Sequence, residues 1–137
     1  SQQAKVEALG VEEWFDPLPT DRIVSIEAGS ENVQLLDPGQ TKAKPVGLLL
    51  EESGRPIGAI KISYFPENQL FKMNSLVDRN CRPVREYSNV SRGGDPNTLQ
   101  NWDTLEITLE EGRFALRLGY DAGIIDALYF RRVSPPG

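Results

Sequence analysis

The stretch Thr104–Tyr120, TLEITLEEGRFALRLGY, decides the fold. Leu105, Ile107 and Leu109 alternate with Glu106, Thr108 and Glu110. After a turn at Glu111-Gly112, Phe114, Leu116 and Leu118 alternate with Ala115, Arg117 and Gly119. Period-two patterning on both sides of a short Gly-containing connection specifies a half-buried antiparallel hairpin. Its apolar face needs other strands to cover it.

The flanking chain can supply them. Arg22–Ala28, Val33–Leu36, Val46–Glu51, Ile57–Phe65, Gln69–Val77 and Val84–Val90 read as strands upstream, and Ile125–Val133 downstream. Gly29-Ser30-Glu31-Asn32, Asp37-Pro38-Gly39-Gln40, Ser53-Gly54-Arg55-Pro56, Pro66-Glu67-Asn68 and Asp121-Ala122-Gly123 read as turns. Strand candidates recur about every ten residues with no long helical pattern between them, which excludes βαβ units. The prediction is an all-β chain: an antiparallel β-sandwich, jelly-roll or Ig-like, of about eight to nine strands. Leu48-Leu49-Leu50 predicts a strand buried on both faces. Ile60, Ile62 and Tyr64 are expected to share a face, as are Phe71, Met73, Ser75 and Val77.

A short helix or arm precedes the strands. Ala4–Leu9 are mostly good helix formers, Gly10 interrupts them, and Val11–Phe15 can resume for a turn. Asp16-Pro17-Leu18-Pro19 then ends any helix. Trp14 and Phe15 are expected to pin this arm to the body. The expected organisation is an N-terminal arm over 1–20, one β-sandwich domain over 21–133 and a tail over 134–137.

The 137 residues fit one domain able to bury a full core without metal or disulfide staples. A net charge of −5 argues against nucleic acid, whose phosphates require a concentrated basic surface. No polybasic segment suits an anionic membrane, and no run approaches the ~18 apolar residues of a membrane span. The single cysteine, Cys81, rules out an intramolecular disulfide and fits either a cytoplasmic protein or an envelope protein that folds without bridges. Ser1-Gln2-Gln3 is small and polar, as expected of a tether behind a signal sequence or a lipid-bearing cysteine. An arbitrary boundary gives the same residues.

The chain contains no histidine. The commonest general base near neutral pH and the usual zinc ligand are therefore missing, and Ser-His-Asp and Cys-His arrangements are impossible. Cys81 lies between Arg79 and Arg82, which could lower its pKa, but it reads first as a small buried or turn residue. Carboxylates are plentiful, at Glu12, Glu13, Asp16, Glu51, Glu52, Glu106, Glu110, Glu111, Asp121 and Asp126. Nothing in their spacing selects the facing pair that a glycosidase needs. Asp78-Arg79-Asn80-Cys81-Arg82 begins like a calcium loop and continues with arginine and proline, so a side-chain-bonded turn is expected. Gly93-Gly94-Asp95 lacks a P-loop lysine. No cofactor or metal is expected. The aromatics Trp14, Trp102, Tyr64, Tyr87, Tyr120 and Tyr129 read first as core and edge packing, and second as a sugar-stacking face.

Ile57–Val84, IGAIKISYFPENQLFKMNSLVDRNCRPV, resembles the central segment of the maltose-operon periplasmic protein family. That pattern has an apolar strand ending near Ser, then a Phe-containing strand closing on Leu-x-Asp-x-Asn-x-x-Pro. The counterparts are Ile60, Ile62, Ser63, Phe71, Leu76, Asp78, Asn80 and Pro83, and the Leu105–Tyr120 hairpin has a similar place. Val77 departs from the larger aliphatic usual there. The resemblance implies a periplasmic or lipid-anchored bacterial envelope protein with a β-sandwich domain. The family has no established catalytic site, so it carries no functional residue over, and Asp78 and Asn80 read as turn-shaping.

The expected function is therefore non-enzymatic: an envelope domain in the periplasm or at the outer membrane that binds a protein partner or glycan. Binding is assigned to the irregular stretch Ser91–Asn101 and its borders, at Tyr87, Arg92, Asp95, Asn97 and Trp102. Two alternatives stand beside it. One is a small acidic immunity or inhibitor protein, which could be cytoplasmic. The other is a carboxylate-based carbohydrate-active enzyme.

Overall fold

The computed structural model describes residues 1–15, 25–32, 44–65, 70–84, 90–92, 104–121 and 124–133. These form one short helix, α1 (Gln2–Ala8), a 3₁₀ turn (Glu12–Trp14) and nine strands. The strands are β1 (Ser25–Glu27), β2 (Ser30–Asn32), β3 (Lys44–Glu52), β4 (Arg55–Phe65), β5 (Leu70–Asp78), β6 (Val90–Arg92), β7 (Thr104–Leu109), β8 (Gly112–Asp121) and β9 (Ile124–Arg132). They make two sheets, β1-β3-β4-β5-β6 and β2-β9-β8-β7. Pairing is antiparallel throughout except between β1 and β3, which run parallel. The described residues are all-β apart from the arm.

The hairpin of the sequence reading is β7–β8. Ile107 lies opposite Phe114 and Leu105 opposite Leu116. Ile107, Leu109, Phe114 and Leu116 are buried, while Glu106, Thr108 and Arg117 are exposed. The turn falls one residue earlier than expected: Glu110-Glu111 make the connection, and Gly112 opens β8 at φ 136°. The other tight hairpin, β3–β4, turns on Ser53-Gly54 with φ 53° and 78°, the two positive values of a type I′ turn. Both turn N–H groups donate to the Glu27 carboxylate, at 2.9 and 2.6 Å.

One core joins the two sheets. Leu48, Leu50, Ile60, Ile62, Met73 and Leu76 from the first sheet cluster with Ile107, Phe114, Leu116, Leu128 and Phe130 from the second. The Phe114 and Phe130 rings stack at 5.2 Å. Ala28-Gly29 carries the chain from one sheet to the other. Ala28 N donates to Glu51 O and Gly29 N to Phe130 O, at 2.8 and 2.6 Å, with Gly29 at φ 98°.

The first sheet has a second apolar face. Leu49, Ala59 and Val77 point away from the shared core into a cluster with Val6, Leu9, Val11 and Phe15 of the arm. Leu48, Leu49 and Leu50 are accordingly all fully buried. The arm lies flat because Gly10 ends α1 in a Schellman motif. Gly10, at φ 68°, donates to Glu7 O, and Val11 N reaches back to Val6 O at 3.3 Å. Phe15 fills the space above Gly47, where an added Cβ would sit 2.7 Å from its ring. Trp14 is half-buried against the same cluster. Ser1 caps the helix, its Oγ accepting from Ala4 N at 3.2 Å, so the opening residues are built into the arm.

Several expectations are corrected. Residues 30–32, read as a turn, are strand β2, because the Gly29 bend feeds them onto β9. Met73 and Val77 do not share a face: the register of β4 and β5 shifts at Lys61/Ile62, which leaves Asn74 as the extra residue and reverses the alternation. Met73 joins the shared core, and Val77 the arm cluster. Of the expected strand Val84–Val90, Val84 is outside any strand, Pro83 makes an isolated bridge to Val77, and β6 begins at Val90. Ser91 and Arg92, read as irregular, belong to β6. The expected strand Val33–Leu36 lies outside the described residues.

Candidate functional site

The residues expected to bind a partner are not brought together by the described structure. Tyr87, Asp95, Asn97 and Trp102 lie outside the described residues. Arg92 ends β6 opposite Phe71, and its backbone alone is described.

The expected side-chain-bonded turn is present. Asp78 is buried, and its Oδ1 accepts from the backbone N–H groups of Asn80 and Arg82, at 2.8 and 3.0 Å. Cys81 N donates to Asp78 O at 3.1 Å, and Cys81 takes φ 64°. The exposed Cys81 thiol donates to Ala8 O of the arm at 3.1 Å. An open notch of about 420 Å³ lies between this turn and β7, lined by Asp78, Arg82, Val84, Thr108 and Glu110. Asp78 Oδ1 holds the turn beside this notch.

Two other carboxylates are anchors. Burial pushes the Glu51 carboxyl up, but hydrogen bonds from Gln2, Lys5 and Ser25 outweigh it and hold it below the usual range. Gln2 Nε2 and Lys5 Nζ sit 2.9 and 2.8 Å from its oxygens and tie the arm to β3. Arg132 binds Glu52 through both Nε and Nη2 and lowers its carboxyl likewise. The same guanidinium reaches Glu111 O at 3.0 Å and lies over the Phe114 ring at 4.7 Å, so it clamps the two sheets at one end. A general acid at neutral pH needs a raised pKa, the opposite of what holds at Glu51 and Glu52. Among the described residues no three metal-capable side chains converge.

Among the described residues, the face of the second sheet that points away from the core is a further candidate. Glu106, Thr108, Arg113, Arg117 and Arg131 on this face are exposed, and Tyr129 is half-exposed. The register sets Arg117 directly opposite Tyr129, and Ala115 between Glu106 and Arg131. Arg113 pairs with Glu106 at 3.1 Å. Arg117 instead lies over the Tyr129 ring, 4.3 Å from its centroid. Ala115 has only a methyl group, and its taller neighbours bury it, which leaves a depression of about 220 Å³. Arg117, Tyr129 and Arg131 wall it, and Gly29-Ser30 form its rim. Ser30 Oγ donates to Glu27 O at 2.7 Å.

Sequence reasoning named Arg117 as outward and Tyr129 as one of six aromatics, and passed over Arg131. Each reads singly as part of a solvated strand face. The signal was the alternation Arg113-x-Ala115-x-Arg117 on one strand and Tyr129-x-Arg131 on the next, but only the register places them around Ala115. No family model, curated protein or solved structure matches this chain.

Proposed function

We propose that the two sheets form a β-sandwich, and that this is a non-enzymatic binding domain of the bacterial envelope which docks a protein partner on the open face of its second sheet. The shared core of the two sheets supports the sandwich. The observation that carries the docking face is the contrast between the two outer faces. The arm covers that of the first sheet, while that of the second presents a formed depression walled by Arg117, Tyr129 and Arg131. Arginine and tyrosine are enriched where protein surfaces meet. A protein partner is favoured over a glycan because Arg117 already occupies one face of the Tyr129 ring, which a stacked sugar would need. The envelope location rests on the Ile57–Val84 resemblance.

Photo-crosslinking in cells tests the docking face. A benzoylphenylalanine at position 113, on the same face but outside the wall of the depression, is expected to give a discrete protein adduct, and one at position 12 on the arm none. Adducts equal at both positions, or none at position 113, would remove the assignment. Fractionation of cells expressing the natural precursor tests the location: recovery in the cytosol would end the envelope reading.

A further inference from the structure

We propose that Arg117 and Arg131 form a two-point clamp for an extended acidic segment of a partner protein, one carrying two carboxylates two residues apart. The proposal rests on the reading of this face as a docking surface and names its chemistry.

The register fixes the geometry. Arg117 pairs across with Tyr129, and Arg131 is two residues further along β9, opposite Ala115. The two arginines are thus a diagonal pair on one face, about 7–8 Å apart at the backbone. An extended segment repeats same-side residues every ~6.6–6.8 Å. Two carboxylates at positions i and i+2 therefore match two guanidiniums at diagonal positions, whereas adjacent carboxylates point to opposite sides.

Among the described residues both charges are unspent. The ion pairs of the described residues are Lys5–Glu51, Arg79–Glu111, Arg113–Glu106 and Arg132–Glu52. Neither Arg117 nor Arg131 takes part in one. This occurs in a chain with 20 acidic and 15 basic residues, where carboxylates are in excess. The Arg117 guanidinium lies over the Tyr129 ring, 4.3 Å from its centroid, and carries five N–H donors that a carboxylate can accept from. The buried Ala115 methyl between the arginines is a low floor onto which the intervening side chain of the segment can settle. The complementary ligand is anionic, extended and apolar or small at its middle position. The net charge of −5 disfavours a nucleic acid as that anion.

The test uses the full chain and blocked heptapeptides in a threonine background, at millimolar concentration, followed by amide chemical shifts at residues 115–117 and 129–131. A peptide with Glu-x-Glu is expected to bind at least about tenfold more tightly than one with Gln-x-Gln or adjacent Glu-Glu, as loss of a charged hydrogen bond implies. Arg117→Gln or Arg131→Gln is expected to remove that preference while the chain stays folded. Arg131→Glu is expected to transfer it to Lys-x-Lys. Equal binding of the Glu and Gln peptides would overturn the clamp, and so would tighter binding of an oligogalacturonate, which would assign the face to an acidic glycan. If crosslinks from position 113 persist while the acidic preference is absent, the docking face stands and the clamp falls. If both are absent, both fall.

Discussion

The two sheets share one core but treat their opposite faces differently. The outward face of β3-β4-β5 is small and apolar, with Gly47, Leu49, Ala59 and Val77, and the chain covers it with its own arm. The outward face of β7-β8-β9 is charged and aromatic, and nothing among the described residues covers it. An apolar face in water costs free energy until something covers it, and fifteen N-terminal residues do so here. A face of arginine, glutamate, threonine and tyrosine tolerates water and can wait for a partner. Stability should therefore depend on the first face and recognition on the second.

The largest effect should come from the arm. Phe15→Ala empties the space above Gly47 and should cost about 3–5 kcal/mol, as for other buried phenylalanines. Chemical denaturation measures this, and the peptide preference at Arg117 should survive in conditions where the variant is folded. If the loss is below ~1 kcal/mol, the arm is an ornament on the first sheet, and the contrast between the faces is wrong. Asp78→Ala should come next, at about 1–2 kcal/mol, because it strips the acceptor from two backbone N–H groups. Its effect should spread to Ala8 and Gly10, which meet the turn through Cys81. Faster hydrogen exchange in α1, with β8 and β9 unchanged, is the expected pattern.

Acid should loosen the same side. The Glu51 carboxyl is lowered in the folded chain relative to its ordinary value of 4.5. A lowered carboxylate contributes stability above its unfolded value, and that contribution is lost as pH falls through the folded value. The arm should therefore be held fully at neutral pH and weaken as pH falls below about 4.5. Hydrogen exchange at Val6 and Leu9 against pH reads this directly. In Glu51→Gln the dependence should flatten, and the residue that remains belongs to Glu52, whose carboxyl Arg132 lowers in the same direction.

The legibility of these two faces from sequence differs for a physical reason. The hairpin, the triple leucine and the arm with its aromatic anchors each carry a local signal, and each is present, the hairpin with its turn one residue earlier than read. The Gly10 break is likewise local, since a residue at positive φ closes the helix. What escaped depends on pairing between distant segments. The bulge at Asn74 is a mismatch between β4 and β5, invisible in either strand alone, and it moves Val77 to the other face. Residues 30–32 read as a turn until β9 is there to pair with them. The candidate site is of the same kind. Arg117, Tyr129 and Arg131 are ordinary outward residues, and the register of β8 against β9 makes them a site. The residues expected to bind were chosen for loop character, which marks exposure but does not say which side chains converge.

The smallest effect on stability should fall where binding matters most. Arg117 stacks on Tyr129 at an exposed position, and such a contact is worth about 0.5–1 kcal/mol. Arg117→Gln should thus shift the unfolding free energy by no more than that, while Arg131→Gln, with no ion pair to lose among the described residues, should shift it less. Both should nonetheless abolish the preference for Glu-x-Glu. Arg113→Gln is the internal control: it is exposed on the same face, but Glu106 already holds it at 3.1 Å. It should leave the preference intact. If Arg113→Gln reduces peptide binding as much as Arg117→Gln, the face acts through its summed positive charge, the effect should fade steeply with salt, and the diagonal register has no special role. If Arg113→Gln is silent, the pairing of β8 with β9 supplies the specificity, and a strand face that reads as solvated scaffold is the recognition element.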